Sequence, residues 1–241
     1  MPWLRRLTGT SGTSRLVCVP HAGGGPSTFA DWVGALPERV ELWVPDLPAR
    51  ERRMLEDPVT DFDLLVRGLA DELGGDDRPT SLFGHSFGAL VAFEVARLLH
   101  ERSTPVRCLV VSGMAAPQTL PARPAPTDEE ILRDLRVNGS APPELDQLPE
   151  LVELVLPGLR ADYSMALGYR YREGPRLSSA VVALSGAEDA EVDGADLARW
   201  AELTDGGVET RLWDDGHMYL LDQVEDVARF VADRHLGAGA R

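Results

Sequence analysis

The 241-residue chain contains no lysine, few aromatic residues and no long apolar run. All 24 basic residues are arginine and 39 residues are acidic, so the formal net charge is −15. This acidity argues against nucleic acid or an anionic membrane as the main partner. No apolar run approaches the length that crosses a bilayer, and the first 14 residues lack the apolar stretch of a secretion signal. We therefore expect a cytoplasmic protein with neither a nucleic-acid nor a membrane partner.

Cysteine is also scarce, with two residues in the whole chain. Cys18 and Cys108 are far apart, and each lies inside a short apolar run. Without close spacing they provide neither a disulfide framework nor a zinc site. We expect both side chains to be buried as small hydrophobic groups, and we expect no metal site.

Strand-like and helical patterns alternate along most of the chain. The predicted strands are 15–20, 40–44, 81–83, 106–112, 180–185 and 208–213, and the predicted helices are 28–36, 61–73, 89–99, 195–203 and 219–235. Such alternation indicates an α/β fold with a mostly parallel sheet and helices on both faces. The length suits one domain, which we assign to residues 1–241.

The alternation is interrupted between residues 115 and 172. Prolines divide this stretch into short helical segments, chiefly 128–137 and 148–156, and no strand pattern appears. The pieces are too short to form a core of their own, so we predict an inserted helical lid rather than a second domain. Its apolar residues either line a chamber or pack on the main domain: Leu132, Leu135, Leu151, Leu154, Val155 and Met165.

The pentapeptide Gly84-His85-Ser86-Phe87-Gly88 follows a predicted strand and precedes a predicted helix. This is the context of a nucleophile elbow, G-x-S-x-G, in which a strained turn exposes the serine above the sheet. The glycines allow the strand and helix backbones to pass closely. Ser86 is therefore the predicted nucleophile.

A second glycine-rich loop, residues 21–26, follows the first long predicted strand. It lacks the spacing of phosphate-binding and dinucleotide-binding loops. In hydrolases with a nucleophile elbow, a loop of this kind supplies one oxyanion N–H and the residue after the serine supplies the other. We predict that the N–H groups of Ala22 and Phe87 form the oxyanion hole.

A serine nucleophile needs a histidine base and an acid that orients the histidine. Of the five histidines, His217 follows a late strand and satisfies the chain order nucleophile, acid, base. Asp189 directly follows the strand before it, and we prefer it as the acid. Asp193 is the second candidate, although acids at a helix start are common for other reasons.

With these residues in place, the chain resembles the stand-alone type II thioesterases that accompany modular polyketide and non-ribosomal peptide synthases. These belong to the α/β-hydrolase superfamily. The resemblance rests on the segments 20–24, 48–53, 84–88, 156–162, 186–189 and 216–217. Two departures stand out: Pro48-Ala49-Arg50 replaces the usual Pro-Gly-Arg, and Asp215-Gly216-His217-Met218-Tyr219 replaces Gly-Gly-His-Phe-Phe.

The resemblance implies hydrolysis of acyl groups from the phosphopantetheine arm of acyl or peptidyl carrier proteins, which clears stalled or aberrant chains. It implies no metal or dissociable cofactor, and a monomer is the simpler expectation. Because carrier proteins are typically acidic, docking on this acidic chain needs a local basic patch. The candidates are Arg50, Arg52, Arg53, Arg160, Arg170, Arg172 and Arg176. Alternatively, these arginines form ordinary surface pairs with neighbouring acids.

Three other functions use the same features. A general carboxylesterase or lipase shares the elbow and the triad, and an acyltransferase differs in the acceptor that replaces water. A hydrolase fold that serves only as a binding module usually lacks a triad residue, and here all three are present.

Overall fold

The computed structural model describes residues 2–9, 11–121, 123–141, 145 and 148–237. Among these residues, seven strands form one sheet in the order β1-β3-β2-β4-β5-β6-β7. The strands are β1 (Leu4–Arg6), β2 (Ser14–Val19), β3 (Val40–Pro45), β4 (Thr80–His85), β5 (Cys108–Ser112), β6 (Ala180–Gly186) and β7 (Val208–Trp213).

Six of these strands run parallel to their neighbours, and β1 pairs antiparallel with β3 at one edge. The register sets Val19 of β2 opposite Gly84 of β4, and His85 opposite Ser112 of β5. The carboxyl ends of the central strands therefore meet at one edge of the sheet, where ligands bind in open α/β folds. The predicted fold class is confirmed, whereas β1 was not predicted.

Helices cover both faces of the sheet. The α-helices are α1 (Phe62–Leu73), α2 (Phe87–Glu101), α3 (Asp128–Val137), α4 (Pro149–Gly168), α5 (Gly194–Ala198), α6 (Tyr219–Asp222) and α7 (Val224–Leu236). Short 3₁₀ helices span Pro26–Gly34, Glu51–Arg53, Pro117–Thr119 and Arg199–Leu203. The predicted helices 195–203 and 219–235 are thus each two shorter helices.

Alternate residues of the central strands point to opposite faces, as a pleated strand requires. Val17 and Leu82 pack on the face covered by α1 and α2. Leu16 and Phe83 pack on the other face, against the 3₁₀ helix Pro26–Gly34 and α7. Both cysteines belong to this second layer, and burial raises the pKa of each thiol, to about 12 for Cys108.

The insertion between β5 and β6 contains α3 and α4, which pack on each other through a small apolar cluster that includes Ile131, Leu135 and Leu159. The helix predicted over 148–156 is wrong at its C-terminal end, because α4 continues through Pro157 to Gly168. Parts of the predicted insertion, residues 122, 142–144 and 146–147, lie outside the described residues. The assignment of the whole chain to one domain stays a prediction.

The first part of the loop after β3 is buried, although the loop carries several charged residues. Asp46, Leu47, Ala49 and Arg50 are each at most 5% exposed. Ala49 adopts a left-handed backbone conformation with φ of 59°, which is costly for a residue with a Cβ atom. This loop lies against the glycine-rich loop after β2, so it belongs to the surroundings of the site.

Candidate active site

Ser86 occupies the turn between β4 and α2. Its φ of 53° and ψ of −123° place it in a strained backbone region, as expected for a nucleophile elbow. A Cβ atom on Gly84 would overlap the carbonyl oxygen of Gly88, and a Cβ atom on Gly88 would overlap that of Val19. The two glycines therefore permit the close crossing of strand and helix that places Ser86 at the cavity. Within the described part of the chain, the Ser86 hydroxyl makes no hydrogen bond.

Two backbone N–H groups beside Ser86 are available to a ligand. The N–H of Phe87 begins α2, and that of Ala22 lies in the glycine-rich loop after β2. Neither has a hydrogen-bond acceptor among the residues that the structure describes. Both residues line the same cavity as Ser86, so the predicted oxyanion donors lie beside the predicted nucleophile.

His217 and Asp189 are brought together by the loops after β7 and β6. The Nδ1 atom of His217 lies 2.8 Å from Oδ2 of Asp189, and both side chains are buried. Asp189 also accepts hydrogen bonds from the Ser185 hydroxyl at 2.9 Å and from the Glu191 backbone N–H at 2.9 Å. Asp193 instead accepts from the first N–H groups of α5, so it caps that helix. Of the two candidate acids, the structure brings Asp189 to His217.

The charges around His217 favour its protonated form. Burial alone lowers its pKa, but the hydrogen bond and charge of Asp189, together with the charges of Glu191 and Asp134, raise it above its ordinary value. Burial likewise works to raise the pKa of Asp189, and the hydrogen bonds from His217, Glu191 and Ser185 hold it below its usual range. The pair is therefore an ionised carboxylate beside a histidine of raised basicity.

Two further histidines lie next to this pair and stay neutral. The ring centroid of His85 is 4.9 Å from that of His217, and its Nδ1 atom bonds to the Ser112 hydroxyl at 2.8 Å. Ser112 in turn bonds to the Tyr219 hydroxyl at 2.6 Å. Burial and the charge of His217 lower the pKa of His85 and bring that of His21 to about 4. His217 is thus the histidine of this group that gains rather than loses basicity.

A cavity of about 510 Å³ opens above Ser86 and His217. Its wall on the side of the insertion is more polar than the sequence suggested and carries Arg123, Glu130, Arg133, Asp134 and Asn138, with Glu191 beside His217. The apolar residues predicted for a chamber mostly pack elsewhere. Met165 joins the main core, Leu135 lies in the small cluster of the insertion, and Leu154 is 43% exposed.

Arg50 was predicted to dock a carrier protein, and its placement contradicts this role. The residue is 5% exposed, and its guanidinium forms a bidentate pair with the fully buried carboxylate of Asp162, at 2.7 Å and 3.1 Å. It also donates to the carbonyl oxygen of Gly24 at 3.1 Å. Asp162 stands in a segment that carries the resemblance, but no role was predicted for it.

The other predicted docking arginines lie nearer the surface. Arg52 pairs with the buried Asp46, and Arg53 pairs with Glu56. Arg170 donates to backbone carbonyl oxygens at the end of α4. The side chain of Arg172 is 80% exposed and lies 3.7 Å from Asp63. Their docking role stays a prediction.

The described residues contain no cluster of three or more histidine, cysteine or acidic side chains arranged to hold a metal ion. In the same part of the chain, no helix is both long and apolar enough to span a bilayer.

A strained serine after a parallel strand, with backbone N–H groups beside it and a histidine–aspartate pair across the same cavity, defines a serine hydrolase of the α/β-hydrolase fold. A model of the thioesterase domain family matches residues 14–234 of the 241. The chain belongs to this family.

Known relatives agree with this assignment. The chain is 34% identical over 240 residues to the thioesterase PikA5 of Streptomyces venezuelae, covering 97% of this chain and 85% of that protein. It is 35% identical over 240 residues to part of the phenyloxazoline synthase MbtB of Mycobacterium tuberculosis, and it spans 17% of that much longer protein. Among solved structures, the type II thioesterase BorB from the borrelidin biosynthetic cluster shares 33% identity, with 97% of each chain covered and a TM-score of 0.87.

Proposed function

We propose that this protein is a type II thioesterase that hydrolyses acyl groups from the phosphopantetheine arm of acyl or peptidyl carrier proteins. In this role it clears aberrant or stalled chains in polyketide or non-ribosomal peptide biosynthesis. The observation that carries the proposal is the strained, half-buried Ser86, which lines one cavity with His217 of the His217–Asp189 pair, in a chain of the thioesterase family. The similarity to PikA5 and BorB supports the biosynthetic setting.

The proposed reaction follows from the residues at the site. Asp189 holds a proton on Nδ1 of His217, which leaves Nε2 free to take the proton of the Ser86 hydroxyl. Ser86 Oγ then attacks the thioester carbonyl, and the N–H groups of Ala22 and Phe87 stabilise the oxyanion. The C–S bond breaks, the thiol leaves with the proton from His217, and water activated by His217 releases the acid from Ser86. The residues require no cofactor of their own for these steps.

Variants at two of these residues test the mechanism. We expect Ser86→Ala to abolish turnover, because no other nucleophile stands at the elbow. Asp189→Asn should lower kcat by about 10⁴-fold, because the amide no longer fixes the tautomer of His217. Near-normal turnover by either purified, folded variant would remove the corresponding assignment.

The substrate class is tested by comparing one short acyl group on a holo carrier protein, on free pantetheine and on p-nitrophenol. We expect the highest kcat/KM for the carrier-bound form, and its loss in Ser86→Ala. Equal or better turnover of the p-nitrophenyl ester would indicate a general esterase. Formation of a new ester when an alcohol is supplied would indicate an acyltransferase.

We further propose that the enzyme acts in the cytoplasm as a monomer and docks carriers through Arg52, Arg53, Arg170 and Arg172. The double charge reversal Arg170→Glu/Arg172→Glu should lower kcat/KM for the carrier-bound substrate and leave that for the free ester unchanged. Arg229→Glu is the matched control, because Arg229 is also exposed but lies on α7, on the opposite face of the sheet. An unchanged kcat/KM for the carrier-bound substrate in the double variant would exclude these two arginines from docking.

A further inference from the structure

The loop that carries Ala22 is held in place by a buried ion pair from two other parts of the chain. Asp162 Oδ2 accepts a hydrogen bond from the N–H of Gly23 at 2.8 Å, directly after Ala22. The same oxygen accepts from Arg50 Nη1 at 2.7 Å, and Arg50 Nη1 also donates to the carbonyl oxygen of Gly24 at 3.1 Å. The pair therefore forms hydrogen bonds with the two residues that follow the predicted oxyanion donor.

This arrangement leaves little freedom to its members. Asp162 is completely buried, and its second oxygen accepts from Arg50 Nη2 at 3.1 Å. Arg50 Nε donates to the carbonyl oxygen of Pro48 at 3.2 Å, which orients the guanidinium from its own loop. Bidentate pairs of this kind fix direction as well as distance, which a single lysine ammonium does not.

The ion pair also joins the insertion to the site, because Asp162 belongs to α4. Around it the backbones are in close contact. A Cβ atom on Gly158 would lie 2.8 Å from the carbonyl oxygen of Ala49, and one on Gly23, whose φ is +78°, would overlap Leu159. This part of α4 thus forms a fixed wall behind the glycine-rich loop.

We propose that Arg50 and Asp162 are positioning residues that hold the Ala22 N–H in the orientation needed to stabilise the oxyanion. This inference rests on the proposed function, since it assumes acyl transfer to Ser86. An oxyanion donor acts through its position relative to the developing charge, so loosening it lowers transition-state stabilisation more than ground-state binding. Loss of the pair should therefore lower kcat and leave KM nearly unchanged.

The test uses a short-chain p-nitrophenyl ester and a trifluoromethyl ketone of the same acyl chain, whose adduct with Ser86 places an oxyanion in the same position. Asp162→Asn should lower kcat by about 10- to 100-fold. This decrease should not exceed the decrease in kcat that removal of one complete oxyanion donor causes. The inhibition constant of the ketone should rise by a similar factor, with KM for the ester within about twofold of wild type. Arg50→Lys, which keeps the charge but not the fork, should show a smaller effect in the same direction.

Two further variants control for folding and for general damage to α4. Asp128→Asn breaks the exposed pair with Arg160, which lies two residues from Asp162 on the same helix, and should leave kcat and ketone binding unchanged. The double variant Arg50→Met/Asp162→Leu removes both buried charges together, so it avoids an unpaired charge in the core and should fold. It should show the same loss of kcat and of ketone affinity as Asp162→Asn.

The inference is overturned if the folded double variant keeps wild-type kcat and ketone affinity, or if the variants change KM alone. The free ester makes this result independent of the carrier substrate. If the wild-type enzyme is acylated by the ester but does not hydrolyse carrier-bound thioesters, the thioesterase proposal fails. The ester and ketone measurements on the variants then still test the positioning role. If wild type neither turns over an ester or thioester nor binds the ketone, both proposals fail.

Discussion

At the scale of single residues, the protonation state of His217 controls the proposed reaction. The charged groups that raise its pKa are all carboxylates, those of Asp189, Glu191 and Asp134. Asp189 bonds to the ring directly, and Asp134 accepts a hydrogen bond from Tyr163 at 2.6 Å. The carboxylate of Glu191 makes no hydrogen bond or ion pair with any residue that the structure describes, so it is the member of this group that can be changed most simply.

We expect Glu191→Gln to move the acidic limb of the pH dependence of kcat/KM to lower pH. Removal of a nearby negative charge lowers the pKa of His217, so the neutral base persists to lower pH. The rate on the alkaline plateau should be unchanged. Rates with a free ester between pH 4.5 and 8 measure the limb.

The matched control for this prediction is Glu188→Gln, in the same loop but outside the cavity wall. Its acidic limb should coincide with that of wild type. An acidic limb that stays in place, or moves to higher pH, in Glu191→Gln would show that Glu191 does not act on His217.

The placement of single residues followed from the sequence where a local pattern identifies them, and it did not follow where the partner is distant in sequence. Ser86 stands in a pentapeptide, and Asp189 and His217 each follow a strand. Arg50 and Asp162 are 112 residues apart, so nothing near Arg50 indicated that its charge is neutralised in the core. A run of charged residues such as 50–53 is normally solvated. In this run the first residue, Arg50, is buried.

At the scale of elements, the junction of β4 and α2 depends on small residues. Gly88 lies where a Cβ atom would overlap the carbonyl oxygen of Val19 on the neighbouring strand. Because the obstacle is backbone, it cannot be relieved by a side-chain rotation.

We therefore expect Gly88→Ala to lower the free energy of unfolding by about 3 kcal/mol and to lower kcat sharply through displacement of Ser86. Gly75→Ala is the control, since a Cβ atom there meets no other atom within 4 Å. Urea denaturation and ester hydrolysis of both variants give the comparison. An unchanged free energy of unfolding in Gly88→Ala would mean that the backbones of β2 and α2 can move apart without loss of stability.

In the loop after β3, a substitution should raise rather than lower the free energy of unfolding. Ala49 has φ of 59°, and the resembling thioesterases usually carry glycine there. Ala49→Gly should raise the free energy of unfolding by about 1 kcal/mol, because glycine adopts this conformation without a steric penalty. Ala35→Gly, at φ of −94°, should instead lower it by about 0.5 to 1 kcal/mol. A destabilised Ala49→Gly would show that contacts of the Ala49 methyl group outweigh the backbone strain.

The parallel strands and most helices followed from periodicity, and the exceptions have physical reasons. β1 has three residues and gains its order from pairing with β3 rather than from its own composition. α4 continues through Pro157 although proline removes one helix hydrogen bond. Burial of Leu156 and Leu159 and the ion pair of Asp162 hold the second half in line, and such tertiary contacts are invisible in local sequence.

At the scale of the whole molecule, one buried side chain of α7 forms hydrogen bonds with two central strands of the sheet. His235 of α7 bonds to the Ser81 hydroxyl of β4 through Nδ1 at 2.9 Å and to the Ser14 hydroxyl of β2 through Nε2 at 2.7 Å. Burial and the charge of Arg107 lower its pKa to about 4. His235 is therefore neutral in the folded state and protonates readily on unfolding below its ordinary pKa of 6.5.

This histidine makes the fold sensitive to acid. Between pH 6.5 and 4 the unfolded chain binds a proton at His235 that the folded chain does not, so stability falls as the pH is lowered. The difference amounts to about 2 kcal/mol between pH 7 and pH 5. His21, with a pKa also lowered to about 4, acts in the same direction, whereas the raised pKa of His217 acts in the opposite one.

Between pH 7 and pH 5, the free energy of unfolding of His235→Gln should fall by about 2 kcal/mol less than that of wild type. This difference does not depend on the stability of the variant at pH 7. Urea denaturation at the two pH values measures the loss. An equal loss in His235→Gln and wild type would assign the acid sensitivity to other groups.

The burial of both cysteines in the core, in a chain without lysine, also makes this protein a convenient subject for fluorescence. The thiols of Cys18 and Cys108 are enclosed and remain protonated at neutral pH, so maleimide dyes will not reach them. A cysteine introduced at Leu55, which is 94% exposed, or at Val137 of α3, which is 76% exposed, will be the reactive thiol. A dye pair at these two positions will report, by energy transfer in solution, the distance between the body of the enzyme and its insertion during turnover.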